Sequence, residues 1–152
     1  MSAGRPRILP PAVALLWLAV ALVAHLATKP RPLAALSLRL ALAAAALALG
    51  IALVAWPLRL FDRAGTTHKP GERPRALVSN GPYRWTRNPM YLGIALLMLG
   101  LGLPFGTWPF LAAPAGFLLT VDRAFVPGEE RALETALGDE YRSYRSRVRR
   151  WL

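Results

Sequence analysis

The sequence predicts an all-α integral membrane protein, a helical bundle of about four transmembrane helices followed by a C-terminal amphipathic helix on the cytoplasmic side. Three observations predict it: 55% of the 152 residues are hydrophobic, four apolar runs alternate with polar segments, and most charges fall on one side of the resulting topology. The mean hydropathy of +0.34 is high for a soluble domain of this length. We therefore expect a single membrane domain over residues 1–152.

The four predicted spans differ in length. Residues 40–58 contain no charge and would be about 28 Å long as a helix, which is enough to cross the hydrocarbon core. Residues 11–27 form the first span, and the two prolines of the following TKPRP segment end it, which predicts a helical hairpin with the second span. Residues 90–103 and 108–121 are shorter, so they need interfacial aromatic anchors such as Tyr91.

The basic residues indicate which segments are cytoplasmic. With the N- and C-termini inside, segments 1–10, 59–89 and 122–152 hold sixteen of the nineteen Lys and Arg residues and all eight Asp and Glu residues. The net charge of +11 is then explained by topology and by attraction to anionic lipid, so no nucleic-acid partner is predicted. Arg5 and Arg7 precede an apolar run as in a signal peptide, but no small-x-small cleavage site follows, so we expect this segment to be retained.

Metal and thiol chemistry find no support in the sequence. Cysteine is absent, which excludes disulfides, thiolate nucleophiles and cysteine-ligated metals. His25 is expected to be a packed or interfacial residue, and His68 stands alone in a polar loop. Neither has a partner at metal-ligand spacing, so no metal site is predicted.

The segment SNGPYRWTRNPMYLG, residues 79–93, places charged and aromatic residues directly before an apolar run. Pro89 suits the first turn of a helix, where its missing N–H is tolerated. Arg87 and Asn88 precede that helix, so a guanidinium and free backbone N–H groups would together suit a carboxylate or a phosphate. The alternative is that the arginines of this segment anchor lipid headgroups and its aromatic residues form an interfacial belt.

Glu129 and Glu130 also allow two interpretations. Acids that follow a proline near a helix start are favoured by the helix macrodipole. Alternatively, two carboxylates on the same side of the membrane as Arg87 would bind cationic or hydroxyl groups of a ligand.

The tail after Pro127 has the pattern of an amphipathic helix. Its apolar residues recur at steps of three and four, on one stripe formed by Leu133, Leu137, Tyr141, Tyr144, Val148 and Trp151. Such a helix either lies on an anionic bilayer surface, which the pattern alone favours, or folds back over a site at the membrane mouth. Gly138 interrupts the pattern, which allows two shorter helices.

Two ordered motifs resemble a known family. The segment LVSNGPYRWTRNPMYLG and, after one hydrophobic hairpin, VPGEERALETALGDEYRSYRSRVRRWL resemble the isoprenylcysteine carboxyl methyltransferase and phospholipid methyltransferase superfamily of integral membrane enzymes. The resemblance covers roughly residues 65–152, and the first two spans match only as hydrophobic segments. The positions on the family pattern are Gly81, Pro82, Tyr83, Arg87, Pro89, Tyr91, Glu129, Glu130, Gly138, Tyr141 and Tyr144. Asn88 replaces the usual histidine, as in the phospholipid branch.

The resemblance implies S-adenosylmethionine-dependent methyl transfer to a lipophilic or membrane-embedded acceptor, such as a phospholipid amine, an isoprenoid-linked carboxylate or another small amphiphile. It implies that the cofactor is bound by Gly81, Tyr83, Arg87, Pro89, Tyr91, Glu129, Glu130 and Tyr141. Catalytic roles are implied for Arg87, Asn88 and Tyr91. Arg87 suits the cofactor's carboxylate, and one of the two glutamates suits its ammonium group or ribose. The replacement of histidine by Asn88 argues against a prenylated cysteine as the acceptor.

Two other classes of protein share the hydrophobic pattern. A small four-helix transporter is expected to carry an ionisable residue at mid-membrane, and the central parts of the four predicted spans contain none. A non-catalytic membrane scaffold predicts the same spans but gives no reason for a polar loop and a Glu pair on one side.

The charge distribution generates a test of topology. Reporter fusions at Lys29, Lys69 and the C-terminus are expected to read outside, inside and inside, because the basic segments stay in the cytoplasm. A C-terminus on the outer side would contradict this orientation.

Overall fold

The computed structural model describes residues 9–67 and 74–152, so Arg5, Arg7 and His68 of the sequence-based predictions lie outside the described residues. Within those two ranges the chain is all-α and contains no strand, which confirms the all-α part of the predicted fold class. In the described residues six α-helices and one 3₁₀ turn follow in order: α1 Pro10–Thr28, α2 Leu36–Arg63, the 3₁₀ turn Gly81–Arg84, α3 Pro89–Gly102, α4 Trp108–Ala124, α5 Val126–Leu137 and α6 Asp139–Arg147.

Helices α1 and α2, which contain the first two predicted spans, are long and apolar enough to cross a membrane by length and composition. Helix α3 has 14 residues, about 21 Å, which is shorter than a hydrocarbon core of about 30 Å. Helix α4 meets α5 at a bend of 42°, and the pair counts as a third span only if the two helices are taken together. The described chain thus has two or three spans by length and composition, and the number four remains a prediction.

The outer faces of α1 and α2 are apolar. Only 17% of the most apolar window of each helix is buried inside the protein. Large exposed side chains on these helices include Leu15, Leu16, Val23, Leu26, Leu38, Leu49 and Ile51. Continuous exposed apolar surface of this kind is typical of helices that face lipid, so the protein is a membrane protein.

The helices do not pack in chain order. Helix α3 lies between α2 and α4, whereas α1 packs mainly against α4. The predicted hairpin of the first two helices is therefore not a packed pair: α1 and α2 follow one another, but each has its main contacts with a different partner. The side chains explain why each helix packs against a different partner. Helix α2 has a row of small residues that faces α3, whereas Trp17 of α1 packs against Gly116 of α4.

The α2–α3 contact depends on small residues that face each other. A Cβ atom at Gly93 would lie 2.8 Å from Val54 Cγ2 and 3.0 Å from the backbone oxygen of Gly50. Two turns further along, a Cβ atom at Gly100 would lie 3.1 Å from the backbone oxygen of Ala43. Because the two backbones approach this closely, α3 is held rigidly against α2, as in other helix pairs that pack through small residues in lipid.

Side-chain hydrogen bonds stabilise the α1–α4 contact. Trp17 Nε1 donates to Thr120 Oγ1 at 3.0 Å. At the opposite end of the bundle, His25 Nδ1 lies 3.1 Å from Oγ1 of the fully buried Thr107, and its ring packs against Phe110. His25 is thus a packed residue, as expected, and α1 runs antiparallel to α4.

The close approach of α2 and α3 predicts the effect of an added methyl group. Gly93→Ala is expected to lower the stability by about 1–3 kcal/mol, because the new Cβ meets backbone atoms that cannot rotate away. Thermal unfolding in detergent measures the change. Gly128→Ala is the matched control: Gly128 is exposed and has only Arg131 Nη2 near the Cβ position, at 4.0 Å, so its unfolding midpoint is expected to stay level or rise. Equal midpoints for both variants would contradict the close packing.

Candidate active site

The polar loop before α3 is anchored to the end of α2. Gly81 has φ of 60°, a left-handed conformation that favours glycine, and a Cβ atom there would lie 3.0 Å from Trp56 and from Leu60. Pro82 and Pro89, which frame the loop, are fully buried. Gly81 and Pro89 therefore lie where they shape the loop and start α3.

The tail folds back over this loop. Tyr83, Tyr141 and Tyr144 form a buried aromatic cluster, and the Tyr144 hydroxyl donates to the backbone oxygen of Tyr83 at 2.8 Å. Burial raises the pKa of the Tyr83 and Tyr144 hydroxyls above their usual value, so both remain protonated donors at neutral pH. Leu133, Leu137 and Val148 of the predicted stripe pack on the same cluster. These residues of the stripe thus face the protein, which favours the alternative in which the tail folds back over a site.

The tail also ends its helical course earlier than the pattern predicted. Gly138, with φ of 54°, separates α5 from α6, as its interruption of the pattern allowed. Helix α6 ends at Arg147, and residues 148–152 continue without helix. We call residues 148–152 the C-terminal strap. Trp151, assigned by periodicity to the helical stripe, instead packs on the core formed by α1, α3 and α4.

The C-terminal strap binds the loop through backbone oxygens. The backbone N–H of Arg87 donates to the oxygen of Arg149 at 3.0 Å. Thr86 Oγ1 and Asn88 Nδ2 both donate to the oxygen of Arg150, at 2.9 and 3.1 Å. Since Thr86 and Asn88 are almost fully buried, these bonds satisfy polar groups that water does not reach.

Four charged residues form a chain of ion pairs beside these bonds. Arg87 Nη2 lies 3.1 Å from Glu130 Oε1, and only 12% of each side chain is exposed. Arg150 donates to Glu130 from Nη2 at 2.7 Å and from Nε at 3.1 Å. Arg150 Nη1 also reaches Asp122 Oδ1 at 3.2 Å, an oxygen that Trp151 Nε1 approaches at 2.9 Å. Positive and negative side chains alternate in the order Arg87, Glu130, Arg150 and Asp122, so each charge lies next to an opposite one.

Glu129 stands apart from the chain of ion pairs. Its Oε1 accepts a hydrogen bond from the Tyr91 hydroxyl at 2.7 Å, and Tyr91 is 8% exposed. Burial raises the pKa of the Glu129 carboxyl; the Tyr91 hydrogen bond opposes this shift, and the neighbouring Glu130 adds to it. Glu129 thus offers a partly desolvated carboxylate, and it forms no ion pair with an arginine of the described residues.

Arg87 is incompletely satisfied. Its Nε and Nη1 atoms are buried and have no hydrogen-bond partner among the described residues. Leaving a buried donor unpaired costs about 1–3 kcal/mol, and more for a charged group. A guanidinium held in this way is suited to an anionic ligand group that would accept from one of these nitrogens.

Comparison with known proteins identifies the family to which the chain belongs. Residues 38–140 match the family described as phospholipid methyltransferase, which is more than half of the chain. The chain belongs to the phospholipid methyltransferase family. A Haemophilus influenzae protein described only as uncharacterized is 38% identical over 63 residues, which are 41% of this chain and all of that relative. No solved structure matches the chain. Membership confirms the resemblance seen in the motifs and indicates a methyltransferase acting on a lipid-like substrate.

The structure brings together five of the family-motif residues predicted as site residues. Arg87, Asn88, Tyr91, Glu129 and Glu130 meet at the junction of α3, α5 and the C-terminal strap. Tyr83 and Tyr141 lie in the adjacent aromatic cluster, and no group of His, Asp or Glu residues in the described chain is arranged to hold a metal.

Sequence reasoning missed Asp122, Arg150 and Trp151. Asp122 was visible as an acid at the end of an apolar run, but its partners lie 28 and 29 residues away, and no spacing rule connects them.

The two adjacent glutamates are expected to respond to amidation with opposite signs. Because its folded-state pKa is raised, Glu129 stabilises the protein below its unfolded pKa and loses this contribution as the pH rises through the folded value. Glu129→Gln should therefore raise the thermal midpoint at neutral pH, by an amount that shrinks as the pH is lowered. Glu130→Gln should lower the midpoint, with a loss of about 1.5–3 kcal/mol in the free energy of unfolding, because both arginines lose a charged acceptor. Equal losses in both variants would contradict the distinct environments.

Proposed function

We propose that the protein is an S-adenosylmethionine-dependent methyltransferase (EC 2.1.1 type) whose cofactor binds beside Arg87 and Glu129. Two observations support this most directly: Arg87 Nε and Nη1 are buried without a partner among the described residues, and Glu129, adjacent in sequence to the Arg87 partner Glu130, forms no ion pair with an arginine of the described chain. The cofactor carries a carboxylate, an ammonium and a sulfonium, so it needs one anion site and one cation site close together. The alternatives of a transporter and a scaffold give no reason for this arrangement.

The residues present fit the cofactor by the chemistry of their groups. Arg87 would donate to its carboxylate from Nε or Nη1, each of which makes a planar two-point contact together with Nη2. Glu129 or Glu130 would bind its ammonium or ribose hydroxyls, and Tyr83 and Tyr141 would support the site from the neighbouring buried cluster. Gly81 and Pro89 contribute by shaping the loop. When bound, the cofactor supplies a methyl group activated by its sulfonium.

Positioning is the main contribution that we assign to the protein. Methyl transfer is an in-line displacement by the acceptor's own atom, so no protein nucleophile is required, and alignment can account for about 7–11 kcal/mol of the barrier at best. Tyr91 holds the Glu129 carboxylate through its hydroxyl. Asn88 cannot take a proton at neutral pH, which favours acceptors that are already nucleophilic when bound, such as a deprotonated amine or a carboxylate.

The acceptor that we propose is an amphiphile embedded in the bilayer. The candidate residues lie at the end of the bundle where α3 begins, next to helices whose outer faces are apolar. A lateral entrance between helices would admit the acceptor, and a cytosolic entrance would admit the water-soluble cofactor. In this proposal the protein resides in the inner (plasma) membrane with both termini in the cytoplasm, which places the site at the cytoplasmic boundary.

Cofactor binding is tested by calorimetric titration of the detergent-solubilised protein with S-adenosylhomocysteine. The parent is expected to bind, and Arg87→Lys to bind at least about tenfold more weakly, because lysine cannot make the planar two-point contact. Arg84→Lys is the matched control, since Arg84 is an exposed arginine of the same loop and should leave binding unchanged. A parent that does not bind would overturn the assignment and favour the scaffold.

The acceptor class is tested with methyl-labelled cofactor. The purified protein should transfer label into a lipid extract of its host, because the acceptor is expected to reach the site from the bilayer. Label found only in water-soluble small molecules would rule out lateral entry while leaving methyl transfer intact.

A further inference from the structure

We infer that Arg150 is a positioning residue of this site, which keeps Arg87 available to an anionic ligand by holding Glu130 away from its free nitrogens. The inference rests on the proposed function, because it assigns a division of labour between two glutamates of that site. Arg150 lies in the C-terminal strap, beyond the residues 38–140 that match the family.

The C-terminal strap is fixed at the position that this role requires. The backbone oxygen of Arg150 accepts hydrogen bonds from Thr86 and Asn88, and the oxygen of Arg149 accepts from the backbone N–H of Arg87. These three bonds involve backbone acceptors only. The side chain of Arg150 is therefore delivered to Glu130 by contacts that a substitution of that side chain leaves in place.

Arg150 occupies both oxygens of Glu130. Its Nη2 donates to Oε2 and its Nε donates to Oε1, so Arg150 grips the carboxylate with two bonds while Arg87 reaches Oε1 with Nη2 alone. Asp122 holds Arg150 from the other side through Nη1. Because the carboxylate is turned towards Arg150, the Nε and Nη1 atoms of Arg87 have no partner in the described chain.

Loss of Arg150 would change the partner of Glu130. The freed carboxylate would lie next to a single guanidinium, and a planar two-point pair is the favoured geometry for these two groups. Glu130 would then turn onto Arg87 through Nη2 and Nε, and cover Nε, which we assign to the ligand's carboxylate. With Arg150 present, Glu130 is occupied by the two arginines, and Glu129 is left as the carboxylate for the cationic group of the ligand.

The experiment is a double-mutant cycle on the full chain in detergent, with S-adenosylhomocysteine as the probe. Arg150→Gln should weaken binding at least about tenfold, whereas adding Glu130→Gln to it should recover most of that loss, because the competing charge is removed. Arg149→Gln is the matched control: it changes the net charge equally, its side chain is exposed, and its backbone oxygen is retained, so binding should stay within about twofold.

Two further readouts separate positioning from general stabilisation. In turnover assays, Arg150→Gln should raise KM for the cofactor with little change in kcat, as expected for loss of a binding contact. Hydrogen exchange at the Arg87 amide, which donates to the strap, should stay protected in the cofactor-free variant, because the backbone bonds remain. If Arg150→Gln does not fold, Asp122→Asn replaces it, and a smaller loss of binding with the same recovery by Glu130→Gln is expected.

The outcomes are distinct. Recovery of binding in the double variant, with the Arg87 amide protected, supports the inference. Binding of Arg150→Gln within about twofold of the parent, or a double variant as weak as the single one, overturns it. If the parent itself does not bind, the proposed function fails. In that case nitrogen NMR of the Arg87 side chain decides the inference: its Nε–H exchange should slow in Arg150→Gln as Glu130 covers it, and unchanged exchange would overturn the inference.

Discussion

The ion pair between Arg87 and Glu130 is the contact on which the candidate site depends. It joins residues 43 positions apart in the sequence, one at the end of the loop before α3 and one in the first turns of α5. Taking two charges to 12% exposure is unfavourable unless their remaining hydrogen-bonding groups are also paired. Arg150 and Asp122 complete the pairing on the Glu130 side, whereas Arg87 is left with two buried nitrogens. Among these four charged residues of the described chain, only Arg87 has buried nitrogens without a hydrogen-bond partner, and it is the residue that we propose to contact a ligand carboxylate.

The membrane helices determine where this pair can form. Gly50, Gly93 and Gly100 let α2 and α3 approach closely, so the start of α3 is fixed relative to the end of α2. The loop between them is fixed again at Gly81, where α2 leaves no room for a side chain. The backbone at Arg87 is therefore held by closely packed helices, and we expect any rearrangement of the site to involve side chains or the tail. Helix packing thus fixes the position of the site, and the polar contacts at the end of the bundle can adjust.

Much of the fold followed from the sequence because hydropathy and helix length are local properties. The two long helices and the break at Gly138 were predicted within a few residues, and the convergence of Arg87 with Glu129 and Glu130 followed from the family motifs. The pairing of α1 with α4 could not be predicted, since it depends on how Trp17 fits against Gly116, which are almost one hundred residues apart. The pattern of the tail left its position open and only favoured the bilayer surface, because an apolar stripe looks the same whether it faces lipid or protein. Its true partner was decided by Tyr83, an aromatic residue of the loop.

The two glutamates show why a motif identifies a site more readily than the roles inside it. Glu129 and Glu130 are identical in chemistry and adjacent in sequence, yet a helix directs consecutive side chains about 100° apart, so they meet different surroundings. Glu130 faces the two arginines, and Glu129 faces the Tyr91 hydroxyl on α3. The carboxylate of Glu130 already has hydrogen bonds from two guanidiniums. The carboxyl of Glu129 is buried beside a hydroxyl and has a raised pKa, so it gains more from an approaching cation. The same physical difference that separates their effects on stability therefore also favours Glu129 as the group that binds a cationic ligand.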